Sequence, residues 1–168
     1  MSPIHLIVAA DLDNGIGING DLPWRLKGDL TYFRDITVGK GNNLVVMGRK
    51  TWDSIPEKFR PLANRKNLVL SRSEQSLPDD VDQLYALDDL QAYISKNSFD
   101  DVFIIGGGTI YDAALDSLPV DSIYLTQVYS SVGCDCFFPK LGPEWSCCYA
   151  SNIWVEEYTY QFKQYKKV

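Results

Sequence analysis

The stretch Asn14–Thr37, NGIGINGDLPWRLKGDLTYFRDIT, decides how the rest of the chain is interpreted. It begins as a glycine-rich loop that ends at Leu22–Trp24, and a helix is predicted to follow. Asp29 comes three residues after Leu26 and four before Phe33, so its carboxylate is expected on the inward face of that helix. That face is predicted from apolar positions at helical spacing: Leu26, Leu30, Phe33 and Thr37.

A carboxylate on an apolar stripe loses hydration, so it needs a partner, a bound proton or an opening to a cleft. The alternative is a carboxylate that only stabilises the start of the helix through the helix dipole. Asp29 taken alone leaves both interpretations open. The outer side of the helix is expected to carry Lys27, Thr31, Arg34 and Asp35.

Length and charge restrict the class of protein. A chain of 168 residues suits one domain over residues 1–168, with a core that needs no disulfide or metal. The net charge of -6 argues against nucleic acid or an anionic membrane as partner, because a polyanion is bound by a positive surface. The sequence has neither an apolar run of membrane-spanning length nor a basic leader, so a cytoplasmic protein is expected.

Cysteine and histidine exclude several kinds of catalytic site. Cys134 and Cys136 form a C-x-C and Cys147 and Cys148 are adjacent, and neither spacing matches a zinc site. Free thiols, buried or half-buried, are therefore predicted, and no metal is expected. The only histidine, His5, lies in an apolar strand and is interpreted as structural, which argues against Ser-His or Cys-His catalysis.

Three apolar runs of strand length precede polar or charged residues. They are Ile4–Ala10, Leu44–Met47 and Asn67–Leu70. The second run ends at Gly48, Arg49, Lys50 and Thr51, before a short helical turn predicted over residues 52–55, and the third ends at Ser71 and Arg72.

A fourth strand runs into consecutive glycines. Val102–Ile105 is followed by Gly106, Gly107 and Gly108 and then by a predicted helix over residues 109–115. Such a turn can admit a phosphate group to the free N–H groups of the helix, but a tight structural turn would look the same. The glycines do not form G-x-G-x-x-G.

The remaining elements complete an α/β pattern. A capped helix is predicted over Asp88–Lys96, a strand over Ser122–Val128 that carries Thr126, and an antiparallel strand over the alternating segment Glu156–Tyr165. Strands separated by helices predict a mostly parallel sheet, and ligands of such sheets bind at the carboxyl ends of the strands. Cations, hydroxyls and the glycine turn at three strand ends would together suit a dinucleotide with an extra ribose phosphate.

Along almost its whole length the chain resembles the dihydrofolate reductase family. The motifs that carry the resemblance are residues 16–24, the helix with Asp29 and Phe33, and residues 46–52, 65–72, 104–108 with Tyr111, 124–126, Asp135 and 138–139. The resemblance implies a single-domain, three-layer α/β fold: a mostly parallel eight-stranded sheet with a C-terminal antiparallel strand and flanking helices.

The same resemblance implies the activity. NADPH would supply the hydride that reduces 7,8-dihydrofolate to tetrahydrofolate for one-carbon metabolism, the pterin ring nitrogen would be protonated, and antifolates would bind a monomeric enzyme. Asp29 would anchor the pterin through a two-pronged hydrogen bond, with Thr126 holding Asp29 in place. Leu62 would hold the aminobenzoyl ring and Arg65 the glutamate carboxylate.

By the same family pattern, the site divides into three sets of residues. The catalytic set is Asp29, Leu22, Trp24 and Thr126. The substrate set is Ile7, Val8, Asp29, Phe33, Ser54, Ile55, Leu62, Arg65, Ile105 and Thr126. The cofactor set is Ala9, Ile16, Asn19, Gly20, Gly48, Arg49, Lys50, Thr51, Leu70, Ser71, Arg72, Gly106, Gly107, Gly108, Thr109, Ile110 and Tyr111.

The family pattern also implies local backbone features. A cis peptide is expected between Gly106 and Gly107, and residues 14–24 would form a lid over the nicotinamide. Asn64 stands where many relatives have glycine, and a left-handed backbone is compatible with asparagine. Cys136 stands where threonine is usual, which removes a hydroxyl from that place.

Three rival functions remain open from the sequence. A related reductase that acts on a ribosylated pyrimidine could share the sheet and the NADPH site, but it has no use for Asp29 together with Arg65. A dinucleotide-binding protein without catalysis would need no inward carboxylate. A purely structural domain would have no binding cleft.

Overall fold

Ten strands and four α-helices form the computed structural model, which describes residues 2–168. The strands are β1 (Ile4–Ala10), β2 (Gly15–Gly17), β3 (Leu44–Gly48), β4 (Lys66–Leu70), β5 (Val81–Leu84), β6 (Val102–Gly106), β7 (Val120–Val128), β8 (Cys136–Phe137), β9 (Trp145–Val155) and β10 (Thr159–Lys167). The helices are α1 (Lys27–Val38), α2 (Arg49–Ser54), α3 (Leu90–Lys96) and α4 (Gly108–Ser117), with short 3-10 turns at Glu57–Phe59 and Leu87–Asp89.

Eight of these strands form one sheet in the order β5-β4-β3-β6-β1-β7-β10-β9. The pairs from β5 to β7 are parallel, whereas β10 runs antiparallel to both β7 and β9. This topology confirms the predicted mostly parallel sheet with a C-terminal antiparallel strand. The other two strands, β2 and β8, pair with each other outside it.

The sheet is covered on both faces, because side chains alternate along each strand. Leu6 and Val8 of β1 lie in the core cluster that also holds Leu90 of α3 and Tyr111 of α4. Ile7 of the same strand lies in the cluster on the opposite face, which is packed by α1 and α2. The three-layer architecture expected from the sequence is confirmed by this division.

Parallel pairing brings the carboxyl ends of three neighbouring strands together. Gly48 of β3 lies opposite Leu70 of β4, and Met47 lies opposite Gly106 of β6. The residues that follow these strands therefore leave the sheet at the same edge. This edge and the amino end of α1 contain most of the predicted site.

Several predicted boundaries were wrong. Helix α2 begins at Arg49, directly after β3, so that Arg49 and Lys50 are helical residues instead of loop residues. Strands β5 and β9 were missed because VDQL is short and polar and because β9 shows no buried alternate face. A 3-10 turn precedes α3, and its first residue has no side-chain cap.

Leu30 was predicted to face inward but is 49% exposed. The buried face of α1 is instead formed by Phe33, Ile36 and Thr37. Phe33 and Ile36 pack on the cluster that contains Ile7, called the α2-side cluster below, and Thr37 is fully buried. Leu30 lies at the edge of this buried face, because successive residues of a helix are rotated by about 100°.

Other sequence expectations concern single residues. His5 is buried, with Nε2 2.8 Å from Asp101 Oδ1, as expected for a structural histidine. Among the described residues all four cysteines are free, as predicted, but only Cys134 is half-buried; Cys136, Cys147 and Cys148 are exposed because they lie on β8 and the edge strand β9. Within residues 2–168 no helix has both the length and the apolar character needed to cross a bilayer.

Candidate active site

Asp29 lies in the first turn of α1, where the helix meets β7. The Thr126 hydroxyl donates a hydrogen bond to Asp29 Oδ1 at 2.6 Å, and Thr126 itself is only 3% exposed. Within residues 2–168 no donor reaches the second oxygen, Oδ2. One oxygen of the carboxylate is thus fixed by the sheet and the other remains available to a ligand.

The surroundings of Asp29 favour its protonated form. Burial raises the pKa of the Asp29 carboxyl above its ordinary value of 3.8, and the negative charge of Glu156 raises it further. The hydrogen bond from Thr126 opposes both effects by stabilising the carboxylate. The Asp29 carboxylate is therefore fixed in orientation, and it binds a proton more tightly than an exposed aspartate does.

Apolar side chains from several elements pack together on the side of the sheet that α1 covers. Five predicted substrate residues belong to or pack on one cluster there: Ile7, Phe33, Ile55, Leu62 and Ile105. Val8 was predicted beside Ile7, but its side chain lies in the cluster on the opposite face. Only the backbone of Val8 can contribute to a site next to Asp29.

The loop before α1 contributes two side chains of contrasting exposure. Trp24 is 6% exposed, and its indole Nε1 is a buried donor without a partner among the described residues. An unsatisfied buried donor is rare and indicates a place for a ligand or water acceptor. Leu22 is 57% exposed and has little packing of its own.

Arg65 lies near the carboxyl end of α1. Its Nη1 donates to Thr37 Oγ1 at 3.0 Å and its Nε donates to the Ala63 carbonyl at 2.8 Å, which leaves further donors free. Burial, followed by the charge of Arg34, lowers the pKa of Arg65. Asn64 holds the preceding turn with a φ of 62°, the left-handed conformation expected for it.

Asp29 and Thr37 are eight residues apart on one helix, a rise of about 12 Å. The Asp29 carboxylate and the Arg65 guanidinium therefore lie towards opposite ends of α1, and Phe33 of the α2-side cluster lies between them along the helix. Ser54, the remaining predicted substrate residue, is exposed and donates its hydroxyl to the Thr51 carbonyl at 2.7 Å.

Cationic and hydroxyl groups gather at the shared edge of β3 and β4. Arg49 and Lys50 are exposed in the first turn of α2, and Arg49 Nη1 lies 3.4 Å from Asp53 Oδ2. The Ser71 hydroxyl follows Leu70 and donates to the Ser73 carbonyl at 2.9 Å. Arg72 is exposed and forms no ion pair within the described part of the chain.

The glycine turn closes this edge. The Gly106–Gly107 peptide is cis, as expected, and Gly106 has a φ of 137°, which favours glycine. A Cβ on Gly106 would lie 3.1 Å from Thr51 Oγ1, and one on Gly108 would lie 2.9 Å from Cys136 Sγ. The backbone of this turn is therefore closely approached by α2 and β8 on its two sides.

Helix α4 follows the turn, and its three predicted cofactor residues differ in exposure. Thr109 is exposed, and Ile110 packs towards Gly48, where a Cβ would lie 3.3 Å from Ile110 Cγ1. Tyr111 is buried, and its hydroxyl donates to the Ile7 carbonyl at 2.7 Å. Tyr111 thus fixes α4 to β1, and its hydroxyl proton is already used within the protein.

The loop over residues 14–24 is tied to the β8 region. The Asn19 N–H donates to Asp135 Oδ2 at 2.9 Å, although Asn19 and Gly20 are both exposed and have positive φ. Ile16 packs on the α4-side core and Ala9 on a third cluster beside Trp24. From the sequence, Asp135 is recognised only as part of a family motif, and its contact with Asn19 joins residues that are 116 positions apart.

A groove of about 510 Å³ lies elsewhere on the protein. Its walls include Leu12, Gln127, Lys140 and Trp145, and none of the predicted site residues lines it. The predicted residues come together around α1 and at the strand-end edge, not in this groove.

Comparison with known proteins agrees with this arrangement. The family model described as "Dihydrofolate reductase" matches residues 3–167. The dihydrofolate reductase of Heliothis virescens is 41% identical over 152 residues, which cover 84% of this chain and 82% of that protein. The dihydrofolate reductase of Aedes albopictus is 36% identical over 185 aligned residues, covering 100% of this chain and 99% of that protein.

A longer relative aligns with the chain through one part of its length. The bifunctional dihydrofolate reductase-thymidylate synthase 2 of Arabidopsis thaliana is 42% identical over 151 residues. The match covers 83% of this chain but only 27% of that protein. The family model and the relatives of similar length are decisive, and the chain belongs to the dihydrofolate reductase family, a family of oxidoreductases.

Proposed function

We propose that this chain catalyses the NADPH-dependent reduction of 7,8-dihydrofolate to 5,6,7,8-tetrahydrofolate. The observation that carries the proposal is the buried Asp29 carboxylate, held through Oδ1 by Thr126 and without a protein donor at Oδ2, on a helix that packs on an apolar cluster. A carboxylate in that position costs free energy of folding, so a function that uses it explains its presence.

The hydrogen-bonding groups of a pterin match the polar groups beside Asp29. Its 2-amino group and a ring N–H lie side by side, and one carboxylate can accept hydrogen bonds from both. Trp24 Nε1 is a buried donor without a partner and suits a pterin carbonyl or a bridging water. Ile7, Phe33 and Ile105 supply the apolar surfaces between which a flat ring can lie.

The far end of the substrate would meet Arg65. Because Nη1 and Nε are already held by Thr37 and Ala63, the guanidinium is fixed in place and its remaining donors can bind a carboxylate. The separation of about 12 Å along α1 suits a substrate with a heterocycle at one end and a glutamate at the other. Leu62 and Phe33, in the cluster between these ends, would contact the aminobenzoyl ring.

The residues at the strand-end edge fit NADPH. Arg49 and Lys50, the Ser71 hydroxyl and the Gly106–Gly108 backbone would hold its phosphates, and Arg72, exposed and without an ion pair among the described residues, would bind the extra ribose phosphate. The close approach of Thr51 and Cys136 to the glycine turn explains why no larger residue fits there. When bound, NADPH would supply the hydride.

Asp29 and its neighbours would perform the remaining chemistry. Asp29 orients the pterin, and its raised pKa lets the carboxyl keep a proton to higher pH than an exposed aspartate does. The reaction consumes a proton at a pterin ring nitrogen, and Asp29 promotes its delivery. The apolar cluster around the site excludes water and so favours transfer to the substrate.

The direct test compares the protein with Asp29→Asn by the loss of NADPH absorbance in the presence of dihydrofolate. The amide removes one acceptor and places an NH2 group against the pterin donors, so we expect turnover to fall by roughly a hundredfold or more. Binding of NADPH should be nearly unchanged. Absence of activity in the unaltered chain, or equal activity in the variant, would contradict the proposal.

The remaining expectations follow from the same assignment. The product would enter one-carbon metabolism, and antifolates that present paired donors to Asp29 should compete with dihydrofolate. A monomeric state and a cytoplasmic location stay predictions, to be checked by sedimentation and by cell fractionation.

A further inference from the structure

Helix α1 begins without a cap of its own. Leu26, the N-cap residue, is apolar and buried and makes no side-chain hydrogen bond to the helix. The first N–H groups of a helix have no partner inside it, so they need an acceptor from elsewhere. In α1 the first two of these groups belong to Lys27 and Gly28, the two residues before Asp29.

Glu156 supplies that acceptor from the connection between β9 and β10. Its Oε1 accepts the Lys27 N–H at 2.8 Å, and its Oε2 accepts the Gly28 N–H at 3.0 Å. These contacts join residues that are 129 and 128 positions apart. Together the two hydrogen bonds fix both the position and the direction of the start of α1.

Glu156 is itself held by the sheet. The buried hydroxyl of Tyr160, on β10, donates a hydrogen bond to Glu156 Oε2. A Cβ on Gly28 would overlap the Tyr160 hydroxyl and lie 2.9 Å from the ring of Trp154. The first turn of α1 therefore rests directly on β9 and β10, with only hydrogen at position 28.

The same strand lies beside the partner of Asp29. Phe162, two residues after Tyr160, pairs with Thr126, which donates to Asp29 Oδ1. The Asp29 side chain is thus fixed from β7, and the backbone that carries it is fixed by Glu156.

We propose that Glu156 is a positioning residue for the reaction: it holds the amino end of α1 so that the Asp29 carboxylate faces the pterin. The inference rests on the proposed function, since it assigns Asp29 to the substrate. Glu156 touches neither substrate nor cofactor and acts on Asp29 through the position of α1 and through its own negative charge.

The charge of Glu156 has a second effect that can be measured separately, a change in the pKa of Asp29. Asp29 is faced by Tyr32 of α1, Tyr111 of α4, Tyr160 of β10 and Glu156, and the tyrosines stay neutral because burial raises the pKa of each. The negative charge of Glu156 raises the pKa of Asp29, with Lys27 close to Glu156 as the nearby cation. Removal of the charge should therefore lower the pKa of Asp29.

Two variants distinguish the hydrogen bonds of Glu156 from its charge, because both weaken the hydrogen bonds but only one removes the charge. Glu156→Asp keeps the charge but is one methylene too short to reach both N–H groups, and Glu156→Gln keeps the length but loses the charge and one acceptor. We expect both to lower kcat/KM for dihydrofolate by roughly three- to tenfold, with an unchanged KM for NADPH. Only Glu156→Gln should move the alkaline limb of the pH profile to lower pH.

The matched control is Glu157→Gln, which removes one negative charge from the neighbouring exposed residue. It should leave kcat/KM and the pH profile unchanged. The carboxyl titration of Asp29 followed by NMR, with and without Glu156→Gln, gives a readout independent of activity. If Glu156→Gln does not fold, Glu156→Asp still tests the position of α1 through kcat/KM.

The results distinguish a failure of the proposed function from a failure of the role assigned to Glu156. An inactive unaltered protein contradicts the proposed function. An active protein whose Glu156→Asp and Glu156→Gln variants retain kcat/KM, or lose it no more than Glu157→Gln, overturns the role of Glu156 alone.

Discussion

Thr126→Val removes the one hydrogen bond that the described residues donate to the Asp29 carboxylate. Valine has nearly the shape of threonine, so the packing of this residue, 3% exposed, is largely kept. The lost bond is short, at 2.6 Å, and its acceptor is an ionisable group. Hydrogen bonds of that kind contribute about 1.5–3 kcal/mol, so we expect kcat/KM for dihydrofolate to fall about ten- to hundredfold.

The pH dependence should change in a defined direction. Because the Thr126 hydroxyl lowers the pKa of Asp29, its removal raises that pKa, and the alkaline limb of the activity profile should move to higher pH. The folded state already binds the Asp29 proton more tightly than the unfolded chain. The free energy of unfolding therefore falls as pH rises from 3.8 through the folded pKa, and Thr126→Val should deepen this fall.

The assay is steady-state reduction of dihydrofolate over a range of pH, together with urea unfolding at acidic and neutral pH. Thr126→Ser restores the hydroxyl and should recover most of the activity. In an Asp29→Asn background, Thr126→Val should have little further effect, because the two residues act as a unit. A Thr126→Val enzyme with unchanged kcat/KM and pH profile would refute the assigned contact.

Three further changes test other parts of the site. Arg65→Gln should raise KM for dihydrofolate about tenfold or more, since the guanidinium held by Thr37 is lost, but should not affect a pterin substrate without the glutamate tail; equal effects on both substrates would exclude the assignment. Arg72→Gln should raise KM for NADPH about tenfold or more and leave KM for NADH unchanged, and an unaltered preference between the two cofactors would show that the ribose phosphate lies elsewhere. Gly28→Ala should lower the free energy of unfolding by about 1–3 kcal/mol, because a Cβ would overlap the Tyr160 hydroxyl, and an unchanged urea midpoint would contradict this packing.

Continuous apolar runs made the centre of the fold predictable from the sequence. Ile4–Ala10 is a strand with the predicted bounds, and the strand, glycine turn and helix around residues 102–117 were recognised from local composition. A buried parallel strand needs apolar residues on both faces, so its signal is strong. The edge strand β9 is exposed along most of its length and carries no such signal.

The site was predictable where its residues are neighbours in the chain. The inward position of Asp29 follows from helical spacing, whereas the exposure of Leu30 depends on how α1 lies on the sheet. Strand alternation alone separates Ile7 from Val8, since adjacent residues face opposite sides.

Contacts between distant residues were not predictable from local patterns. Glu156 caps a helix from more than a hundred residues away. Asp135 likewise meets Asn19 only after the β8 region has folded beside the loop. Nothing in the spacing of these carboxylates distinguishes them from the other acidic residues of the chain.

The most direct measurement is a crystal structure of the protein with folate and NADPH soaked together. Both Asp29 oxygens, with Oδ1 also accepting from Thr126, should lie within hydrogen-bonding distance of the pterin amino group and ring nitrogen, and the ribose phosphate should lie beside Arg72. A pterin bound in the groove near Leu12 and Lys140, with Asp29 facing only water, would contradict it.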